Sequence, residues 1–215
     1  MKVTYGAIVQ RASGRFGGTV HSNWKGVDVV RRFAKPSNPQ TVAQFDVRDA
    51  FAQLTRHFTL QSTEVRAAWD TFAAGKPFIA RNAYIGRNVP LVAGEVDMAL
   101  LQATPGDAST IGLSAFSAAG GVGTITPTVT VPSAPTGWTL TGVVLAAFLD
   151  FSPGGPAITG LNQWFEQIDL AAPYNLPITG LAAGAYMATA FIKWLAPDGS
   201  TRYSAAAAMD PTTVT

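Results

Sequence analysis

The first third of the chain alternates apolar and polar residues with the period of β-strands, in segments separated by glycines. The segments TYGAIVQ, GGTVHSNW and GVDVVRRF, residues 4–10, 17–24 and 26–33, each place successive side chains on opposite faces of an extended strand. Glycine reaches positive φ without steric cost, so glycines between such segments mark hairpin turns. We therefore predict a β-hairpin whose turns depend on Gly17, Gly18 and Gly26.

After residue 35 the apolar period changes to that of an α-helix. In the segment KPSNPQTVAQFDVRDAFAQLTRHF, Asn38 suits the N-cap of a helix and Pro39 its first position, where a missing N–H has no cost. Large apolar residues then recur at helical spacing and predict one buried stripe. That stripe consists of Val47, Phe51, Leu54 and Phe58.

A second helix follows in TLQSTEVRAAWDTFAAGKP. Ser62 or Thr63 is its predicted N-cap, and Gly75 followed by Pro77 ends it. The short link between the two helices predicts a helical hairpin that covers one side of the preceding strands. Residues 78–89 are predicted to add a third, shorter helix. The buried face of the second helix is predicted at Val65, Trp69 and Phe72.

The second half of the chain returns to the strand period. Segments such as GTITPTVTV, GWTLTGVVLAAFLDF and AYMATAFIKWLAP are separated by turn signals, which predicts an antiparallel sandwich or barrel. The segment ATPGDASTIG shifts composition and marks a boundary. The predicted fold class is α+β, with a hairpin-plus-helices module at residues 1–92, a linker at 93–118 and an all-β immunoglobulin-like sandwich at 119–215.

One local motif supports that architecture. The pattern Leu181-x-x-Gly184-x-Tyr186 resembles the turn-and-strand segment of fibronectin type III and immunoglobulin-like domains, in which a tyrosine folds back onto its own corner. Tyr186 is therefore a predicted structural residue. The resemblance covers one short segment, so it implies an architecture and no activity.

Composition narrows the function classes. Hydrophobic residues make up 47% of the 215 residues and charged residues only 13%, which favours a protein that contacts other subunits. Cysteine is absent, which excludes disulfides, zinc-thiolate sites and thiol nucleophiles. We find no signal-peptide core and no apolar run of about 18 residues, and therefore expect neither export by such a signal nor a membrane partner.

Charge is distributed unevenly along the chain. Residues 1–90 carry 13 Lys or Arg against 5 Asp or Glu, whereas residues 91–215 carry 2 against 8. The basic residues concentrate around the hairpin, interleaved with Phe16 and Phe33, and this pattern suits contact with an acidic protein or a phosphate backbone. Because no base-reading motif accompanies them, we favour a protein partner. The predicted partner-binding residues are Arg15, Lys25, Arg31, Arg32, Lys35 and Trp24.

Catalytic chemistry has little support in the sequence. His21 and His57 are the two histidines, and no nucleophile motif accompanies either, so we predict that His57 lies at the edge of the core or in solvent. Glu95 and Asp97 are the close acidic pair of the second half and are expected to be solvated in a loop. The glycine-rich stretch at residues 13–26 lacks the spacing of phosphate-binding loops. We predict no enzyme activity, no metal and no cofactor.

Aromatic residues in the sandwich admit two interpretations. They can form a carbohydrate-binding platform, or they can fill the space between two sheets, one large aromatic per strand. We favour core packing, because the residues concerned lie on alternating strands. They are Trp138, Trp164 and Trp194.

The first 90 residues resemble a group of small proteins encoded among the structural genes of tailed phages. The resemblance rests on an ordered series of motifs: Gly14-x-x-Gly17-Gly18, Trp24-Lys25-Gly26, Val29-Val30-Arg31, KPSNPQTVAQ, and EVRAAWDTFA. Members of that group are similar to virion components, often with an immunoglobulin-like domain at the C-terminus.

The resemblance implies a non-enzymatic virion protein, located in the capsid or tail. Its partners would be other virion proteins and further copies of itself, with the N-terminal module docking on the particle. Two alternatives remain open: a nucleic-acid-binding module that uses the basic hairpin, and a carbohydrate or cell-surface adhesion protein that uses the sandwich.

Overall fold

The computed structural model describes residues 2, 12–35, 40–93, 100–149 and 164–215. The chain forms two compact units, residues 1–40 and residues 41–215. The fold class is α+β, with all strand pairings antiparallel. The elements are β1 (Gly14–Phe16), β2 (Thr19–Trp24), β3 (Val27–Arg32), α1 (Val42–Thr59), α2 (Thr63–Ala73), α3 (Ala80–Val92), β4 (Ala115–Gly121), β5 (Thr124–Thr130), β6 (Thr139–Leu149), β7 (Trp164–Asp169), β8 (Ile178–Thr179), β9 (Gly184–Leu195), β10 (Thr201–Tyr203) and β11 (Asp210–Val214).

The first unit contains a three-stranded sheet in the order β1-β2-β3. The predicted hairpin is therefore a meander of three strands, closed by two-residue turns. Lys2 adds an isolated bridge to Val29 on the outer side of β3.

The helices begin and end largely where local signals predict. Ser62 occupies the N-cap position of α2, and Gly75, with a φ of 71°, follows its C-terminus. Trp69 is fully buried, as predicted, and its indole N–H donates a hydrogen bond to the carbonyl of Ala103 at 2.6 Å. The predicted cap at Asn38 and Pro39 lies outside the described residues; α1 has Thr41 at its N-cap position.

The predicted stripe of α1 is wrong in its N-terminal half. Val47 and Phe51 are 48% and 54% exposed, whereas Leu54 is buried. The face that packs inward lies further round the helix and includes small and polar side chains, which hydrophobic periodicity scores weakly. Its buried residues are Ala50, Gln53, Leu54 and His57.

The sequence analysis expected the helices to cover the strands that precede them, but their apolar faces pack on the five-stranded sheet of the sandwich. That sheet has the order β10-β9-β6-β7, with β11 also paired to β9. Along β6, Val144 and Phe148 point toward the helices and share one apolar core with Val65 and Tyr84. The sequence shows which side of a helix is apolar, but it does not show which sheet will cover it.

The opposite face of the same sheet packs on a three-stranded sheet of order β4-β5-β8. Leu145 and Ala147 of β6 form a second apolar core there with Ile125 and Ile178. Alternate residues of one strand thus enter different cores, and the second unit has three layers: helices, five strands and three strands.

The predicted tyrosine corner is present. Tyr186, at the start of β9, is 2% exposed, and its hydroxyl donates a hydrogen bond to the carbonyl of Ala182 four residues upstream at 3.0 Å. Desolvation raises the pKa of this hydroxyl, so it stays protonated and keeps donating. The β-sandwich therefore carries the local signature of immunoglobulin-like domains.

The structure divides the chain after Gln40 rather than within residues 93–118. The segment expected to be a linker packs inward, since Leu101, Ala103 and Thr104 are all nearly or fully buried. Thr104 also donates a hydrogen bond to the carbonyl of Ser204 at 2.8 Å. A polar, turn-rich composition marked this segment in the sequence, but its alternate residues belong to the core.

Two glycine-to-alanine substitutions should change stability in opposite directions. A Cβ at Gly120 would collide with the backbone carbonyl of Thr213 on β11, so Gly120→Ala should cost about 3 kcal/mol or more. Gly86 lies in α3 with open space around its Cβ position, so Gly86→Ala should stabilise by up to about 1 kcal/mol. Urea unfolding of both variants tests this, and a Gly120→Ala protein as stable as wild type would contradict the packing.

Candidate functional site

The basic ribbon, defined as residues 12–35, is shaped by its two turns. Gly17 has a φ of 56° at the first central position of the β1–β2 turn, and Gly18 occupies the second. In the β2–β3 turn, Lys25 and Gly26 both have positive φ, at 48° and 78°, as type I′ turns require. Gly17 and Gly26 thus occupy turn positions with positive φ, and Gly18 lies in its turn without needing a positive φ.

The strand register determines which cations share a face. Arg15 and Arg31 both lie opposite Val20, so these two side chains project from the same face of the sheet. The Arg15 guanidinium carbon is 3.9 Å from the centroid of the Phe33 ring, in a cation–π contact. Arg15, Arg31 and Phe33 thus form the compact part of the predicted surface.

The other predicted residues are placed elsewhere on the ribbon. Arg32 lies one position beyond Arg31 and therefore on the opposite face. Lys25 is in the far turn, next to Trp24, whose backbone pairs with Val27. Lys35 follows the end of β3. The structure does not gather the predicted set into one patch.

None of the side chains that the structure describes in residues 12–35 is buried. Phe16 is 82% exposed and Phe33 is 38% exposed. Within these residues there are five Lys or Arg and one acidic residue, Asp28. Three strands without a buried face are only marginally stable in water, and exposed aromatic and basic residues are typical of contact surfaces.

His57 lies in the centre of the core, which corrects its predicted place at the edge or in solvent. Its ring stacks on Trp164 with centroids 5.0 Å apart and meets Phe148 edge-on at 4.5 Å. Its Nδ1 is 2.8 Å from the hydroxyl of Tyr84, within hydrogen-bond distance. Complete burial lowers the pKa of His57 to about 3, so the imidazole is neutral at pH 7.

A partly buried polar cluster joins α2 to the sheet, and sequence analysis missed it. Glu64 forms an ion pair with Lys193, with 2.8 Å between Oε1 and Nζ. Its other carboxylate oxygen, Oε2, accepts a hydrogen bond from the Tyr203 hydroxyl at 2.7 Å. The backbone N–H of Glu64 donates to Glu166 of β7 at 3.0 Å, so a carboxylate from the sheet caps the helix N-terminus. Burial, followed by the nearby Glu64 carboxylate, raises the pKa of Tyr203. A lysine inside the apolar strand AFIKWL was the available signal.

The three sandwich tryptophans do not form a platform. Trp164 and Trp194 are 2% and 0% exposed, which confirms their predicted role as core residues. Trp138 is half-buried. Burial removes two of the three side chains on which carbohydrate stacking would depend.

Over residues 12–35, 40–93, 100–149 and 164–215, no three or more His, Asp or Glu side chains lie close enough to hold a metal ion. No α-helix in that part of the chain combines the length and apolarity that crossing a bilayer requires.

Comparison with known proteins gives few matches. No protein-family model matches the chain, and no curated protein matches it. Among solved structures, the chain is similar to the fibronectin(III)-like modules of CbhA from Clostridium thermocellum, at 21% identity and a TM-score of 0.29. The match covers 49% of this chain and 46% of that one. The fold described above therefore stands on its strand pairings and tyrosine corner, not on this neighbour.

The neutral core histidine should make stability depend on pH. The pKa of His57 is about 3 in the folded protein and 6.5 in the unfolded chain. As the pH falls, His57 is therefore protonated in the unfolded chain before it is protonated in the folded protein. Its favourable contribution is therefore complete above pH 6.5 and is lost as pH falls toward 3, by up to about 1.4 kcal/mol per pH unit. His57→Gln keeps a polar group but removes this titration.

Urea unfolding of wild type and His57→Gln at pH 7.5, 6 and 5 measures the effect. The difference in unfolding free energy between the two proteins should shrink below pH 6.5. Parallel pH profiles would show that folding does not shift the pKa of His57 and would contradict its burial.

Proposed function

We propose that the protein is a non-enzymatic structural component of a bacteriophage virion, and that its basic ribbon docks on neighbouring virion proteins. The observation that carries this proposal is the basic ribbon itself, in which cations and aromatic rings are exposed and no described side chain is buried. The motif series in residues 14–73 supports a virion role by resemblance.

The ribbon's chemistry supports a protein partner with an acidic and partly apolar surface. Arg15 and Arg31 share a face with Phe33, so a partner carboxylate and an apolar side chain can be contacted together. On the other face, Phe16 is paired in register with Thr19 and Arg32. Exposed pairs of this kind contribute little singly, but many copies on a particle would add their contacts.

Nucleic acid is the second candidate partner, and the same cations favour it. Five Lys or Arg in 24 residues attract a polyanion whether it is a nucleic acid or an acidic protein. A ribbon that binds the phosphate backbone of a nucleic acid would lose affinity steeply as the salt concentration rises, because each neutralised phosphate releases counterions. A protein contact that includes Phe16 and Phe33 would retain part of its affinity at high salt.

The proposal can be tested on particles of the phage whose genome encodes the chain. Mass spectrometry of purified particles should find the chain at a fixed number of copies relative to the major capsid protein. The double variant Arg15→Glu/Arg31→Glu should be lost from particles, because the exposed docking face changes sign. Arg81→Glu, at an exposed cation of α3, is the matched control and should be incorporated normally.

Circular dichroism of each purified variant checks that the second unit remains folded, so that loss from the particle reports docking. Wild-type particles without the chain would overturn the virion role. Normal incorporation of the double variant would overturn the ribbon as the docking surface. If the chain is found only in particles that contain DNA, and nuclease treatment releases it, the result would instead favour nucleic acid as the partner.

A further inference from the structure

A cavity of about 590 Å³ lies in the second unit, and its lining residues all belong to that unit. It is formed by the C-terminal end of α2, the middle of α3, the loop at residues 105–108 and the end of β10. Its volume falls within the range of about 300–1,000 Å³ found for small-molecule sites. The side chains of interest in its lining are Phe72, Lys76, Arg87, Asp107 and Arg202.

Two of the three cations in this lining have no acidic partner in the described part of the chain. Within residues 12–35, 40–93, 100–149 and 164–215, neither Lys76 nor Arg87 forms a salt bridge. Arg87 donates to the neutral amide oxygen of Gln102 at 3.3 Å. Arg202, by contrast, pairs with Asp107 at 2.9 Å. The cavity therefore has an excess of positive charge at Lys76 and Arg87.

The two unpaired cations are held over one aromatic ring. The Lys76 ammonium is 3.3 Å from the centroid of Phe72, and the Arg87 guanidinium carbon is 4.7 Å from the same centroid. Cation–π contacts of this kind restrict long, flexible side chains before any ligand arrives. Both side chains are exposed, so these contacts restrain them in part, which lowers some of the entropic cost of binding a ligand.

The acidic group of the cavity stays engaged elsewhere. Hydrogen bonds from the side chain and backbone of Ser109, followed by Arg202, lower the pKa of Asp107. Its carboxylate is thus ionised at pH 7 and bonded to Ser109 and Arg202. It does not neutralise the pair at Lys76 and Arg87.

A second cavity of about 420 Å³ adjoins the first, since both are lined by Phe72 and Arg87. Its remaining walls include Phe78, Ala83 and Gly86. Phe78 is 37% exposed, and its ring centroid is 6.0 Å from that of Phe72. An apolar slot therefore lies beside the cationic cavity.

We propose that the two adjoining cavities bind an organic anion, with its carboxylate or phosphate group at Lys76 and Arg87 and its apolar part beside Phe78. This site is independent of the ribbon and goes beyond a purely structural role. The charged group gains charge-assisted hydrogen bonds from the two cationic donors, and the slot buries the apolar part.

Nuclear magnetic resonance titration of the full chain tests the site with three probes: 4-phenylbutyrate, phenyl phosphate and the neutral 4-phenylbutyramide. The backbone amides of Gly86 and Gly106, which line the two cavities, serve as reporters. At least one charged probe should shift both amides to saturation, and the neutral amide should bind about tenfold more weakly. The tighter of the two charged probes identifies which anionic group the site accepts.

Lys76→Gln and Arg87→Gln should each weaken binding about tenfold, because each removes one charged donor. Arg81→Gln, at an exposed cation on the same helix as Arg87 but outside both linings, is the matched control and should bind as wild type does. The unperturbed part of each spectrum shows that the variant is folded. Absence of saturable shifts with both anions, equal binding of the neutral amide, or an equal loss in Arg81→Gln would overturn the proposal.

Discussion

The second unit depends on one constraint: its central strands are apolar on both faces. Antiparallel sheets commonly leave one face in water, but β6 is buried continuously from Gly142 to Phe148, and β9 from Tyr186 to Ile192. Each face must be covered, because either one alone would expose a large apolar surface. The helices cover one face and the β4-β5-β8 sheet covers the other. The three layers are therefore a requirement of two strand sequences and not an accumulation of separate modules.

Polar contacts then determine where the helices sit on the sheet, because apolar packing is not directional. Glu64 bonds to Lys193 and Tyr203 of the sheet side, while the Trp69 indole bonds to Ala103. Asn88 of α3 accepts the backbone N–H of Gln102 at 2.7 Å. The side chains of Glu64, Trp69, Asn88 and Tyr203 are buried, and each would be costly to leave without its partner. The segment after α3 is held in the core by the same contacts that position the helices.

Features controlled by neighbouring residues, such as turns and helix ends, can be predicted from the sequence. Features that depend on contacts between distant residues cannot. The turns at Gly17 and Gly26, the α2 boundaries near Ser62 and Gly75, and the corner at Tyr186 all follow from local backbone chemistry. The inward face of α1 does not, because Ala50, Gln53 and His57 carry weak hydrophobic signals beside Phe51. The paired cavities unite Phe72 and Arg87 with Arg202, more than a hundred positions away, and only the fold brings these residues together. The distribution of cations over the two faces of the ribbon likewise required its register.

The two candidate sites differ in how charge acts. Residues 1–40 carry seven Lys or Arg and one acidic residue, whereas residues 41–215 carry eight against twelve. A large polyanion or acidic protein surface is therefore attracted to the first unit and, on net charge, repelled by the second. A small anion in the cavity responds chiefly to charges within about 8–10 Å at physiological salt. Lys76 and Arg87 line the cavity and form no salt bridge with the described residues. The net charge of the first unit is therefore a useful guide to the ribbon's partners. The net charge of the second unit is a poor guide to the cavity's ligand, because screening leaves the nearby cations Lys76 and Arg87 as the main influence on it.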